Sequence, residues 1–567
     1  MTTLDLVIKG GLVYDGTGSA PRNADVGVKD GRITEIGKIT TNARNSLDAD
    51  GAIVTPGFVD IHTHYDGLAT WSNQLSPSNE HGVTTVVMGN CGVGFAPCRQ
   101  ADRSRLIELM EGVEDIPGAA LDEGLPWQWE SFPEYLDYLA ARQYDTNIAA
   151  QLPHAALRVY VMGERGVYKE AATEDDIREM RRITTEALKA GAVGFSSSRT
   201  INHRSSKGEH IPSLTAETRE LLGIAQGIGD AGRGVIEMIS DFEDLDAEFE
   251  TFRQMVKLSR SPMSISLAQG LSPHGWRKTL SKLEEANRDG LVMRGQVAPR
   301  AIGILLGNTT TLNPFTGRPS YEEIARLPLA EKISALLNPE RKARILNEAP
   351  SAGFQRLFRS MAGGKRLWDL GDPPNYEPAL EDSLWAAAEA AGVETWSYIY
   401  DELLENNGKT LLYSPFANYA DDNLDCCRDM ILHENTIMGL GDGGAHVGTI
   451  CDASFTTTLL THWGRDRSRG ELLDLAYLIR RQTSDNANAM GLTDRGKLSP
   501  GMRADINVID FNKLQTRAPV MVNDLPLGGA RLTQHADGYI ATVVNGVTTR
   551  MNGQGTGELP GRLIREY

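Results

Sequence analysis

The sequence predicts an α/β protein: a (β/α)8 TIM-like barrel, with a small β-sandwich formed by both chain ends and a long insertion before the last barrel strand. Three observations carry this expectation. Short apolar, β-branched runs alternate with amphipathic stretches between about residues 57 and 485, the rhythm of βα units around a parallel sheet. Both chain ends read instead as short strands with Gly and Asp at their turns. The stretch 301–434 is far too long for a βα loop.

The opening pieces are LDLVIKGGLVYDG and ADVGVKDGRITEIGK, and GAIVTPGFVDIHTHYDG then feeds a buried strand. Candidate barrel strands follow at Phe58–His62, Val83–Gly89, Asn147–Leu152, Ala192–Ser196, Gly234–Ile239, Met263–Leu267, Val292–Val297 and Ile437–Asp442. They make the barrel number. Helical periodicity is clearest in Glu174–Lys189 and Ala216–Ile228, where apolar residues recur three and four positions apart. Within 301–434, PFTGRPSY, a helical Leu329–Leu337 and GDPPNYEP read as an insertion over the barrel mouth. It is either a lid or pocket wall, or a structural subdomain without substrate contact. After Leu492, GKLSPGMRADINVIDF and DGYIATVVNGVTTRMNG return to strands. The expected division is a β-sandwich from 1–56 and 486–567 beside a barrel from 57–485.

With 567 residues, 41% of them hydrophobic, the chain can bury a large core and a smaller satellite. A net charge of −18 argues against a nucleic-acid partner, which needs a basic surface. No run approaches the roughly 18 apolar residues of a membrane span, and MTTLDLVIKGG lacks the pattern of an export signal. Cys91, Cys98, Cys426, Cys427 and Cys451 are too scattered for a disulfide framework. A cytoplasmic protein with no membrane association is expected, its adjacent Cys426 and Cys427 acting as packing residues.

His62 and His64 close an apolar strand in DIHTH, and the period of two along a strand turns both imidazoles to one face, within reach of one metal ion. The carboxyl ends of barrel strands are the catalytic ends. Cys91 follows the next run, VTTVVMGNCG, where a thiolate would be a strong ligand for zinc. Asp442 ends the last run in NTIMGLGDGGAHVG, placed to take a proton from an activated water and return it to a leaving nitrogen. His446, four residues on, is either a substrate contact or a solvated loop residue.

Taken together, PGFVDIHTHYDG, MGNCGVGFAPC, GAVGFSSSR, GDGGAHVG and KLSPGMRADINVIDF, with VVNGV and TGELPGRLIR, resemble the amidohydrolase superfamily over nearly the whole chain. The branch they resemble is that of the D-aminoacylases, the N-acyl-D-amino-acid deacylases. This resemblance implies a barrel with a β-sandwich, a zinc ion, and hydrolysis of an N-acyl bond by activated water. His62 and His64 match the branch's HxH ligands, Cys91 its cysteine ligand and Asp442 its catalytic aspartate. Two positions depart from it. VIEMISDF places Glu237 where the branch has a histidine ligand, and SISLAQG places Leu267 and Gln269 where it has a histidine and a lysine. Glutamate can still bind zinc through oxygen, whereas leucine cannot. GAVGFSSSR contains no lysine to form the carboxylated bridge of hydantoinase relatives, so one tightly held zinc ion is expected.

Other polar groups near strand ends are candidate substrate contacts: Arg199 and His203 after the fourth strand, His154 after the third, Gln269 after the sixth, and Arg300 after the seventh. Arg199 suits an anionic substrate group, because a guanidinium forks onto a carboxylate. The expected function is therefore zinc-dependent cleavage of a carbon–nitrogen amide bond in a small-molecule substrate such as an N-acyl D-amino acid, with Asp442 as general acid and base. One alternative is hydrolysis of a cyclic amide, lactone or xenobiotic amide, and another, of a different class, is a metal-free barrel that only binds ligands. A homo-oligomer is expected solely by analogy with the superfamily.

Overall fold

The computed structural model describes residues 3–270 and 273–566. The chain starts with β1 (Leu4–Val13), β2 (Arg22–Lys29), β3 (Arg32–Gly37), β4 (Ala43–Asp48) and β5 (Ile53–Pro56). Leu6 and Ile8 of β1 and Val26 and Val28 of β2, two apart along each strand, enter one buried cluster, while Val7 between them enters a second with Leu4 and Ile39.

Barrel strands come next: β6 (Phe58–Asp60), β7 (Val83–Met88), β8 (Asn147–Pro153), β9 (Gly194–Arg199), β10 (Val235–Ser240), β11 (Met263–Ser266) and β12 (Met293–Val297). The insertion contributes β13 (Ile302–Leu306), β14 (Trp368–Asp369) and β15 (Leu412–Ala417), and β16 (Thr436–Met438) completes the barrel. The 8-stranded sheet runs in the order β16-β12-β11-β10-β9-β8-β7-β6, with every pairing parallel. Its ends are joined by a parallel bridge between Thr63 and Gly443. There the His64 amide donates to the Gly443 carbonyl at 2.7 Å, and the Asp442 amide to the His62 carbonyl at 2.9 Å. The seam that closes the barrel is thus the segment carrying the candidate chemistry.

Every expected strand is present, but the first and last are shorter than expected. β6 stops at Asp60, whose carboxylate accepts the His62 amide at 3.1 Å, and beyond β16 the backbone turns left-handed at Leu440 (φ 58°) and Asp442 (φ 46°). Side-chain and loop hydrogen bonds take over there from the ladder. The helix expected at Glu174–Lys189 has those bounds, opened by a reciprocal cap between Thr173 and Asp176. The next, expected from Ala216, spans Thr218–Ala231.

The insertion has its own apolar core, in which Leu306, Phe315, Ile345, Leu367, Ile399 and Leu412 are buried. Strands β13, β15 and β14 form a 3-stranded sheet in that order. Two backbone bonds, Leu305 to Thr449 at 2.7 Å and Thr311 to Gly448 at 3.1 Å, fasten it to the loop that follows the last barrel strand.

The carboxyl-terminal segment forms β17 (Ile506–Ile509), β18 (Gln515–Thr516), β19 (Val520–Leu525), β20 (Gly529–Thr533), β21 (Ala536–Asp537), β22 (Tyr539–Val544), β23 (Val547–Met551) and β24 (Gln554–Gly555). Antiparallel pairing of β17 with β5 merges both chain ends into one 9-stranded sheet. Ile506, Val508 and Val543 join Leu6, Ile8 and Val26 in its core, so this continuous sheet encloses its own apolar cluster. Among the described residues no helix is long and apolar enough to cross a membrane.

Candidate metal centre

His62 and His64 are 1% and 2% exposed, with ring centroids 5.5 Å apart. Nδ1 of His62 lies 2.7 Å from Oε1 of Gln296, and the Gln296 amide nitrogen donates to Ser264 Oγ at 2.8 Å. The amide oxygen therefore faces the ring, so Nδ1 carries the hydrogen and Nε2 keeps its lone pair. Nδ1 of His64 lies 3.1 Å from Oε1 of Glu114 but makes no hydrogen bond there.

Cys91 sits beyond β7 in a left-handed conformation (φ 55°), and its amide donates to Oε2 of Glu237 at 2.9 Å. The turn that delivers it needs Gly89 (φ 81°), where a Cβ would stand 2.4 Å from the Gln151 carbonyl oxygen. Cys91 Sγ is 3.3 Å from His62 Nε2. Asp442 Oδ1 is 3.3 Å from His62 Nε2 and 3.5 Å from His64 Nε2. Left-handed conformations at two non-glycine residues, Cys91 and Asp442, are the kind of local strain that persists where surrounding structure enforces it.

The ligand atoms of His62, His64 and Cys91 all lie within 4.8 Å of one another. A tetrahedral ion with bonds of about 2.0–2.3 Å separates neighbouring ligands by about 3.3–3.8 Å. The contacts of 3.3, 3.3 and 3.5 Å fall in that range.

Electrostatics point the same way. Burial pushes the Cys91 thiol and the Glu114 carboxyl well up, and pushes Asp60 and Glu237 each up to about 7. Burial also lowers His64 to about 4, against its hydrogen bond to Asp442, which works to raise it. Asp442 is the exception: burial works to raise it, yet the His64 hydrogen bond and the His62 charge hold it well below the usual carboxylate range. Buried acids thus crowd one pocket around the two histidines. In addition, Oε1 of Glu237 is buried without a hydrogen-bond partner. Two imidazoles, a thiol and spare carboxylate oxygens fit a borderline-soft divalent ion such as zinc.

The remaining expected residues divide into two groups. His203 lies beside this cluster: burial, then the charges of His446 and His64, lower it to about 3, and its Nδ1 is 2.9 Å from Ser198 Oγ. His446 (φ 49°) lies on the loop after Asp442 and is felt electrostatically by His64 and Asp442.

The side chains read as further substrate contacts each have partners within the protein. Arg199 is bound by Glu248 and by the Ala216 carbonyl, each at 2.5 Å. His154 bridges Ser197 (2.8 Å) and Glu220 (2.9 Å), and Glu220 also takes Arg158 at 2.8 Å. The Gln269 amide nitrogen donates to Asp421 at 2.7 Å, and its oxygen accepts from the Ala420 amide at 2.9 Å. Arg300 pairs with Asp452 at 2.9 Å and lies 3.6 Å over the Tyr376 ring. Leu267 packs in the apolar core at 3% exposure.

Sequence reasoning missed Gln296, Asp60 and Glu114. Gln296 had a legible signal, a polar residue inside the apolar run of β12; Glu114, the last residue of the helix Arg103–Glu114, had none.

Comparison with known proteins places the chain in a family. Residues 46–550 match the description of the Amidohydrolase family. An N-acyl-D-glutamate deacylase of Alcaligenes xylosoxydans xylosoxydans is 28% identical over 526 residues, 91% of this chain and 89% of the relative. The D-aminoacylase of the same organism is 34% identical over 229 residues, 40% of this chain and 43% of the relative. Among solved structures, the N-acyl-D-glutamate deacylase of Bordetella bronchiseptica, complexed with zinc and a phosphonate inhibitor, aligns with a TM-score of 0.65 at 24% identity and covers 100% of both chains. With a match that extends from the terminal sheet through the whole barrel, the chain belongs to the amidohydrolase family.

Proposed function

We propose that this amidohydrolase cleaves a carbon–nitrogen amide bond of a small molecule with one zinc ion held by His62, His64 and Cys91, and with Glu237 in reach as a further oxygen ligand. The observation that carries the reading is the convergence of His62 Nε2, His64 Nε2, Cys91 Sγ and Asp442 Oδ1 at separations a tetrahedral ion requires. When bound, the ion supplies Lewis acidity toward a carbonyl oxygen and toward water. Asp442, held anionic through neutral pH, accepts the proton of the attacking water and delivers it to the leaving nitrogen. His203 and His446 line the approach to it, and the segment 301–434, fastened to the loop after Asp442, forms one wall of the mouth.

N-acyl D-amino acids, and N-acyl-D-glutamate in particular, are the first substrates to try, because relatives carry those activities in their names. A second reading is favoured by one observation: Arg199 and Gln269 are both engaged by protein partners, which withdraws them from gripping a substrate carboxylate. On that reading the substrate is uncharged beside the scissile bond, as in a cyclic amide or a lactone. A zinc-loaded preparation assayed on both panels decides between them. Turnover of N-acyl-D-amino acids supports the first reading; failure of that whole panel beside one hydrolysed cyclic amide supports the second.

A further inference from the structure

The amino-terminal ends of the barrel strands, opposite the ends that carry His62 and His64, hold a cavity of about 410 Å³. Val235 and Met263, the first residues of β10 and β11, line it together with Ile437 and Met490, all of them buried. The rest of its wall is basic, with Arg294, Arg480 and Arg481, in a chain of net charge −18. Arg480 and Arg481 share one carboxylate: Oδ2 of Asp485 lies 3.4 Å from Arg480 Nε and 3.4 Å from Arg481 Nη1. Arg294 donates from Nη1 to the Glu434 carbonyl at 3.2 Å and, among the described residues, pairs with no carboxylate. Three guanidinium groups thus face two acids, Asp485 and the exposed Glu434.

Arg481 is 3% exposed. Its Nη2 donates to Thr436 Oγ1 at 2.7 Å, but its Nε is buried without a hydrogen-bond partner. Burial, helped by the charge of Arg480, holds its guanidinium below the ordinary value, against Tyr477 and Asp485. A buried cation matched this thinly costs free energy, which an anion in the cavity offsets. The backbone here is irregular as well: Arg481–Asp485 is a π-helical turn, a distortion that occurs frequently at functional sites. It is also pinned, because the side-chain amides of Gln482 and Asn486 donate to the Val59 carbonyl at 3.1 and 2.8 Å. We propose that this cavity binds a small organic anion, a carboxylate or phosphate on an apolar body. The guanidinium groups of Arg294, Arg480 and Arg481 take the oxyanion, as their forked donors suit, and the apolar wall takes the body. The site is separate from the candidate metal centre, because it lies at the other ends of the same strands.

The test is calorimetric titration of the full chain with phenylacetate and with phenyl phosphate, beside the neutral 2-phenylethanol. Saturable binding of at least one anion is expected, and none of the alcohol; which anion binds distinguishes carboxylate from phosphate. Arg294→Gln and Arg480→Gln should each weaken that binding roughly 10–100-fold, the loss of one charge-assisted contact. Where one of these variants fails to fold by circular dichroism, the other is judged by the same criterion. A folded His62→Ala/His64→Ala variant should bind as the parent does. No saturable binding of either anion, equal binding of the alcohol, or unchanged affinity in the arginine variants overturns the proposal. So does binding that is lost with the two histidines, which would seat the anion at the metal centre.

Discussion

Asp442 is locked to His62 twice: its amide donates to the His62 carbonyl at 2.9 Å, and its Oδ1 stands 3.3 Å from His62 Nε2. The first bond helps to close the barrel, and the second places the carboxylate at the candidate ion. Because only the second depends on the side chain, Asp442→Asn should fold and load zinc while losing roughly 10²–10⁴-fold in kcat. Retention of most activity on a hydrolysed substrate would contradict the proton-shuttling role.

Gln296 is the only residue placed to orient His62 Nδ1 among the bonds described, and Ser264 in turn orients Gln296. Gln296→Ala leaves that buried nitrogen without its partner, which costs about 1–3 kcal/mol. Urea unfolding should show this loss, with zinc affinity falling in parallel. A destabilised chain with unchanged zinc affinity would separate Gln296 from the metal centre.

At the seam itself, Gly443 has no room for a side chain, since a Cβ would stand 2.6 Å from Ser78 Oγ and 2.7 Å from the Tyr65 hydroxyl. Gly443→Ala should cost about 1–3 kcal/mol through overpacking. It should also displace the Asp442 loop, so activity ought to fall more than folded fraction does. Unchanged thermal unfolding would show that the seam yields.

The insertion is pinned to the barrel by Glu377, which takes His462 at 3.0 Å and Arg467 at 3.0 Å. Burial works to raise this carboxyl, but those partners bring it from 4.5 down to about 2. A depressed carboxyl stabilises the fold fully above its unfolded value and loses that contribution as pH falls through the folded one. The loss should therefore run from about pH 4.5 to about pH 2. Its size is on the order of 3 kcal/mol. In Glu377→Gln the stability should be lower at neutral pH and flatter across that window, as followed by urea titrations at several pH values.

The barrel was legible because parallel strands buried on both sides read as largely apolar, β-branched runs, and β7, VTTVVM, buried at all positions, is such a run. Strand ends were less legible. β6 stops short because the His62 amide turns to Asp60, an interaction that apolar patterning does not record. His62, His64, Cys91 and Asp442 stood out in the sequence because each follows a strand at the catalytic end of the barrel. The fate of Arg199, His154 and Gln269 did not. Their partners Glu248, Glu220 and Asp421 lie 49, 66 and 152 residues away, and only the folded chain brings them together. Glu114 was hidden for the same reason, on a helix whose other buried residues are apolar packing.

The central claim is a zinc site built on His62, His64 and Cys91, and elemental mass spectrometry on protein purified without chelators tests it most directly. The account predicts about one zinc per chain in the parent protein, and its loss in a folded His62→Ala/His64→Ala double variant. A folded parent chain that carries no metal and takes up none from added zinc would contradict it, and a barrel that only binds ligands would become the better reading.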